Sequence, residues 1–387
     1  MDDLEVCMRC GFCRASCPVF DETLAESGTA RGKIAIIHAL LQGELEPTET
    51  VRQRIFECTL CGRCAQSCPA GVDTTEIFIR ARQELLGKKV PLLKRAAFNV
   101  LERPKLLSLA SSAASLIPER LLSVPEKSAG AQLQKIEDPE MRVLFFGGCL
   151  ANHMLPGLKD ASLEVLARNR VEVIAFAGKC CGAPLYFSGA PERAERLART
   201  SLDLVAEVEP DAIITPCPTC RIMLRRYPLL LEGNYRKRAE RAAERTYEIC
   251  EFLATFGYEK DFQPSTGGER TVTLHESCHG AFIPGHGKTV RDIIRGLPEV
   301  ALKEMDDPSA CCGFGGLFLL DNPGLSKRIN RKKLDDIKRT GAEEVVTPCP
   351  GCTVYLRETL KREGIDIKTR HPVELLRETY QRAGRTK

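Results

Sequence analysis

The strongest constraint in this chain is a cysteine pattern written twice. Cys149 is followed by Cys180-Cys181-Gly182 and then by Pro216-Cys217-Pro218-Thr219-Cys220; Cys278 is followed by Cys311-Cys312-Gly313 and then by Pro348-Cys349-Pro350-Gly351-Cys352. Corresponding cysteines are separated by 129, 131, 131, 132 and 132 residues, so the copies differ by small insertions only. Self-similarity at one fixed period marks a duplicated structural unit. The surroundings repeat as well. A strand-like run, RVLFFGG or TVTLHES, leads into the first cysteine, a helix opens at Pro191 or Pro323, and a short apolar run, DAIIT or EEVVT, delivers PCPxC. Strands alternating with helices predict two pseudo-symmetric α/β halves with parallel sheets. Their cysteines fall at strand carboxyl ends, where sites in such folds lie.

A second pattern occupies the first 87 residues. Cys7, Cys10, Cys13 and Cys17 precede Pro18, and Cys58, Cys61, Cys64 and Cys68 precede Pro69. The run C-x2-C-x2-C-x3-C-P resembles the bacterial two-cluster ferredoxins, in which the fourth cysteine of each run ligates the other cluster. Carried over, Cys7, Cys10, Cys13 and Cys68 would hold one cubane [4Fe–4S] cluster, and Cys58, Cys61, Cys64 and Cys17 the other. A pair of zinc sites is the alternative, but zinc usually takes two separated C-x2-C pairs. Apolar residues at helical spacing (Ile34, Ile37, Leu40, Leu41) predict a helix over 30–45, and a second is predicted over 74–86.

Composition narrows the rest. Nineteen cysteines in 387 residues are too few for a disulfide scaffold, and too many to be incidental core residues. The opening MDDLEVCMRC is acidic and lacks an apolar run, so no secretory signal is expected there. Clustered thiols then point to metal or redox chemistry in a reducing compartment. A net charge of +4, 6% aromatic residues and no Trp offer neither a basic stripe nor a stacking platform for nucleic acid. The longest uncharged stretch, Leu106 to Pro118, falls short of the roughly 20 apolar residues of a membrane span. The expected organisation is residues 1–87, a helical cysteine domain; 88–140, helical linker segments broken at Pro104 and Pro118; and two repeat domains, 141–265 and 266–387.

The repeat needs its own chemistry. Five cysteines per copy exceed the four that a cubane or a zinc ion requires, and an adjacent pair cannot serve one corner of a cubane without strain. C-x30-CCG-x34-C-x2-C and C-x32-CCG-x35-C-x2-C resemble the CCG domain found in the B component of heterodisulfide reductase. A two-cluster domain fused to two CCG domains resembles the D component of the membrane-associated heterodisulfide reductase, and shares its layout with the iron–sulfur subunits of glycolate oxidase and anaerobic glycerol-3-phosphate dehydrogenase. The resemblance implies an α+β multidomain protein, a mostly α-helical ferredoxin domain followed by two α/β CCG domains. It also implies two non-cubane [4Fe–4S] clusters. One would be held by Cys149, Cys180, Cys181, Cys217 and Cys220, the other by Cys278, Cys311, Cys312, Cys349 and Cys352.

Around these sets lie His153, His275, His279 and His286. Reducing a disulfide consumes protons, which makes His153, His275 and His279 candidate proton donors; capping turns or bonding cluster sulfur is the other reading. Cys250 aligns with Val373 between the copies, which marks it as a core residue. Lys327, Arg328, Arg331, Lys332, Lys333, Lys338 and Arg339 form either a solvated helix face or a docking face for an acidic partner.

Two functions follow from the resemblance. In the first, an oxidoreductase subunit takes electrons through the cubanes and reduces a small-molecule disulfide at the cluster-borne CCG cysteines. In the second, an electron-transfer subunit serves a flavin-dependent 2-hydroxy-acid or glycerol-3-phosphate oxidoreductase, passing electrons toward quinone. The chain carries no G-x-G-x-x-G, P-loop or haem signature, so flavin, haem or quinone would belong to partners such as a flavoprotein or a membrane cytochrome b. The expected location is cytoplasmic, with the membrane reached through a partner.

Overall fold

The computed structural model describes residues 4–87, 90–103, 135–177, 179–262 and 268–384; much of the expected linker, including Pro104 and Pro118, lies outside them. The protein is α+β, with two compact units. The first comprises Met1–Phe98, Pro184–Arg193 and Ala310–Lys333, and the second Asn99–Ala183, Ala194–Ser309 and Leu334–Lys387.

The first unit is helical. Its principal helices, Ala30–Leu41, Glu49–Phe56 and Thr74–Leu86, each start at a side-chain cap: Thr29, Thr48 and Asp73 accept backbone N–H groups of the first turn, which satisfies donors that have no helical partner. The first helix stops at Leu41, short of residue 45, because the chain turns through Gly43 at φ +73°. Its buried face is Ala30, Lys33, Ile34 and Ile37, while Leu41 is 54% exposed. The apolar stripe thus runs one turn further toward the N-terminus than leucine spacing suggests, and takes in a lysine.

The second unit holds two four-stranded sheets, both entirely parallel. Strands β1 (Met141–Phe146), β2 (Val171–Ala177), β3 (Ala212–Thr215) and β4 (Thr246–Glu248) pair in the order β2-β1-β3-β4. Strands β5 (Arg270–Leu274), β6 (Val300–Lys303), β7 (Glu344–Val346) and β8 (Lys368–Arg370) pair in the matching order β6-β5-β7-β8. In each sheet the order reverses between the first and third strands, and a crevice opens at such a switch point outside the carboxyl ends. Cys149 follows β1 and Cys217 follows β3; Cys278 follows β5 and Cys349 follows β7. One apolar core joins the two halves, with Val143, Phe145 and Ile214 from the first sheet and Val272, Leu274 and Val346 from the second. Cys250 and Val373 both belong to it, at 1% exposure each. Among the described residues, no helix is long and apolar enough to cross a membrane.

The basic helix Pro323–Arg339 spends much of its charge inside its own units. Lys332 meets Asp21 at 2.6 Å and Glu22 at 2.9 Å, Arg328 meets Glu22 at 3.5 Å, and Lys333 is buried. In the second unit Arg339 pairs with Asp306 and Asp336.

Candidate metal centres

The eight N-terminal cysteines line two cavities of the first unit. Cys17, Cys58, Cys61 and Cys64 border one, with Lys33 also in its wall. Cys7, Cys10, Cys13 and Cys68 border another, whose wall Cys64 also touches. Each fourth cysteine has therefore crossed to the cavity of the other run. Local structure explains the crossing on one side. Cys17 is the N-cap of the Pro18–Thr23 helix and its Sγ accepts the N–H of Phe20 at 3.4 Å. The following proline starts that helix and fixes the thiol at its end, pointing away from its own run.

Two buried cations serve the first of these cavities, Lys33 in its wall and Arg82 behind the backbone of Cys58. Lys33 is 1% exposed and donates to the carbonyls of Ser27 and Arg54; burial lowers its pKa, and the nearby Cys58 and Cys17 thiols oppose that shift. Arg82 donates to Cys58 O at 2.6 Å and to Phe187 O at 2.8 Å. A buried cation needs an opposing charge or it costs several kcal/mol. Thiolates that carry an anionic metal cluster would supply it, whereas four neutral thiols would not. Burial also pushes Cys64 up to about 12 and raises Cys61, with the nearby Cys311 thiol as its second cause. A metal held there would have to displace these protons on binding. Lys33 and Arg82 escape sequence reasoning, since both sit among ordinary helical residues.

The repeated cysteines are built onto the crevices just described. PCPxC places the first cysteine at a helix N-cap, proline at the first helical position and the second cysteine two residues on: Cys217 precedes Pro218–Leu230 and Cys349 precedes Pro350–Arg362. Helix N-termini favour thiolates. The doublets end in glycines at φ +88°, Gly182 and Gly313, a region closed to side chains at low cost. Their N–H groups donate back to Cys180 Sγ at 3.4 Å and Cys311 Sγ at 3.3 Å, which turns both sulfurs inward. Tyr227 and Asn330 anchor the carbonyls of Cys181 and Cys312 at 3.0 and 2.9 Å.

In the first copy all five thiols meet. As free thiols they form a hydrogen-bonded chain, Cys149 to Cys180, Cys180 to Cys181, Cys181 to Cys220 and Cys220 to Cys217. Gly148 makes room, since a Cβ there would lie 2.8 Å from Cys220 Sγ. The bonds from Cys180 and Cys220 lower Cys181 to about 6. In the second copy Cys311 and Cys312 belong to the first unit, and Cys278, Cys349 and Cys352 to the second; there Cys349 bonds Cys352 and, across the repeat, Cys217. Five convergent sulfurs in one pocket are a donor set suited to an iron–sulfur centre and exceed a tetrahedral zinc site.

Of the histidines, His275 and His279 both approach this chemistry, His275 with a ring nitrogen within 4.8 Å of Cys352 Sγ. The Nδ1 of His279 lies 2.7 Å from Thr219 Oγ1, between Cys217 and Cys220, and this histidine lies close enough to Cys349 to favour the thiolate. His275 is buried beyond the end of β5, its backbone N–H donating to Val346 O. His153 closes the short Gly148–His153 helix. His286 turns instead to Glu248, 2.8 Å away. His371, absent from the sequence reading, is fully buried with Nε2 3.1 Å from both Pro216 O and Pro348 O.

Comparison with known proteins agrees with these two kinds of site. Residues 3–72 match the 4Fe-4S dicluster domain, and residues 143–225 and 272–357 match the cysteine-rich CCG domain. The chain is similar to the probable glycolate oxidase iron-sulfur subunit of Bacillus subtilis, 28% identical over 98% of this chain and 95% of that one. It is 27% identical to a fumarate reductase (CoM/CoB) component, the B chain of the Methanothermobacter marburgensis enzyme, over 97% of this chain and 72% of that one. Lactate utilization protein A 2 of Bacillus mycoides is 28% identical over 61% of this chain and 98% of its own length. Both kinds of domain match and the named relatives point to iron–sulfur redox chemistry.

Proposed function

We propose that this chain is the electron-transfer iron–sulfur subunit of a flavin-dependent 2-hydroxy-acid oxidoreductase, relaying electrons from a flavoprotein partner toward quinone. Its carriers would be two cubane [4Fe–4S] clusters, on Cys7, Cys10, Cys13 and Cys68 and on Cys58, Cys61, Cys64 and Cys17, and two non-cubane clusters on the five-cysteine CCG sets. When bound, such clusters supply one-electron carriers whose potentials follow local charge and hydrogen bonding. The chain's own part is to hold the sulfurs, to balance charge with Lys33 and Arg82, and to bury the centres. Nearly end-to-end similarity to a glycolate oxidase iron–sulfur subunit carries this reading, and it promotes the relay over disulfide reduction.

A second reading keeps the disulfide chemistry, with the CCG cysteines as the site of reduction and His153, His275 and His279 as proton donors. It is favoured by the completeness of both PCPxC motifs and by similarity to the fumarate reductase (CoM/CoB) component. The deciding experiment is anaerobic purification with metal analysis and two assays. The relay expects about 16 irons per chain from four clusters. It also expects glycolate- or lactate-dependent bleaching of the chain in the presence of its flavoprotein. Absence of that bleaching, together with viologen-driven reduction of a thiol disulfide, would reverse the order of the two readings.

A further inference from the structure

At the carboxyl ends of β4 and β8 the repeat breaks its own symmetry. Aligning Cys250 with Val373 sets Glu248 opposite His371. Both residues sit at the start of a helix, where a glutamate three residues on reaches back to their backbone N–H: Glu251 to Glu248 at 3.1 Å and Glu374 to His371 at 2.6 Å. Their side chains then diverge. Glu248 accepts from its own helix start, at Cys250 N, and lies 2.8 Å from His286 Nε2. His371 turns toward the cysteine motifs.

The ring of His371 has one possible arrangement of protons. Val373 N–H donates to Nδ1 at 3.2 Å, so Nδ1 is an acceptor and Nε2 carries the hydrogen. That N–H faces two carbonyls at 3.1 Å each, Pro216 O and Pro348 O, each one residue before the first cysteine of a PCPxC turn. Complete burial keeps the imidazole neutral, so the donor persists across ordinary pH. Glutamate at position 248 has no hydrogen to share between two carbonyls, so the pseudo-equivalent site cannot make the same clamp. Beneath the clamp Cys217 and Cys349 lie close enough to share a hydrogen as free thiols, and His279 makes a second crossing at Thr219.

We propose that His371 is a positioning residue that clamps the two PCPxC turns through one shared N–H, holding the Cys217 and Cys349 sulfurs in contact so that the two cysteine-rich sites act as one coupled redox unit. The proposal rests on the reading above that both CCG sets carry iron. Interacting redox sites, like interacting titrating groups, change state in steps that belong to the pair and not to either member.

The test compares wild type, His371→Leu and His371→Gln as full-length, anaerobically purified protein, by iron content and by electron paramagnetic resonance during reductive titration. Wild type with about 16 irons per chain should show CCG signals split or broadened by mutual interaction. His371→Leu should keep its iron and lose the splitting. His371→Gln, whose amide offers two donors, should retain it. If His371→Leu loses iron, splitting retained in His371→Gln still supports the clamp, whereas iron without splitting in that variant overturns it. Sixteen irons with uncoupled wild-type signals, or coupling that survives in His371→Leu, overturns this inference and leaves the functional reading standing. Loss of CCG iron from both variants overturns it too, because His371 would then retain the centres and not position them. About eight irons in wild type would defeat the cluster reading itself.

Discussion

Replacing the glycine of each CCG motif with alanine should damage the two copies unequally. Gly182 and Gly313 share φ +88°, so each substitution meets the same backbone penalty of about 1–2 kcal/mol for a side chain in the left-handed region. Reduced freedom of the unfolded chain returns about 0.4–1 kcal/mol, leaving a net loss of about 1 kcal/mol in both. Surroundings then separate them. A Cβ at 182 would sit 3.2 Å from Ala194 Cα and Cβ, tight but open to a small shift. A Cβ at 313 would sit 2.6 Å from Ser326 O, a backbone carbonyl of the Pro323–Arg339 helix, and 3.1 Å from Asn330 N. Backbone of that kind cannot move alone. Overpacking adds about 1–3 kcal/mol, for a total of about 2–4 kcal/mol in Gly313→Ala. The displaced turn also carries the N–H that bonds Cys311 Sγ, so iron at the second CCG site should fall with stability. Anaerobic thermal unfolding followed by absorbance, with iron per chain measured on the same samples, checks both expectations. Equal losses in the two variants, or a larger loss in Gly182→Ala, would refute the steric ordering.

Cys68→Ala should empty the cavity bordered by Cys7, Cys10 and Cys13, and Cys17→Ala the cavity bordered by Cys58, Cys61 and Cys64; the cubane signal that survives in each variant checks the crossing. Lys33→Met removes a buried positive charge near Cys58 and Cys17. Loss of a charge several ångströms from a centre at an effective dielectric of about 20 is worth a few kcal/mol, so the potential of the neighbouring centre should fall by on the order of 100 mV, read by redox titration. Cys250→Val should leave iron content unchanged and alter stability by about 1 kcal/mol or less; loss of a cluster would make Cys250 a ligand.

Much of the candidate site is legible in the sequence because cysteine spacing maps directly onto local geometry. C-P places a thiol at a helix N-cap, as at Cys17, Cys217 and Cys349, and CCG needs a residue that tolerates positive φ. The alternation of strand and helix likewise reveals the inner strands β1, β3, β5 and β7, whereas edge strands such as Thr246–Glu248 and Lys368–Arg370 are too short and polar to stand out. What escapes the sequence is decided by packing between segments distant along the chain. Lys33 looks like any exposed helix lysine until the carbonyls of Ser27 and Arg54 close over it. Arg82 shows no motif, yet its guanidinium reaches carbonyls 24 and 105 residues away. The basic residues after the second CCG read as a free surface because their acidic partners, Asp21 and Glu22, lie about 310 residues earlier.

The duplicated half-site also shows how a repeat acquires direction. Two identical copies related by a pseudo-twofold would have equal affinity for an electron and no reason to order its movement. Here the copies differ where they meet other groups. Cys349 receives bonds from both Cys217 and Cys352, and its pKa is held well below the ordinary thiol value, whereas in the first copy it is Cys181 that is favoured as the thiolate. Those thiol–thiol hydrogen bonds belong to the protonated cysteines; His279 stays beside Cys349 whatever that sulfur holds, and a hydrogen-bond donor or positive charge beside a ligating sulfur raises the potential of its centre. Position 248 carries an acid and position 371 a neutral imidazole, which places unlike charge behind otherwise matching motifs. Substituting Glu248 with Gln, which preserves the helix start while removing a negative charge, should therefore shift the potential of the first site more than that of the second. Equal shifts at both would mean that the contact between Cys217 and Cys349 averages the difference away.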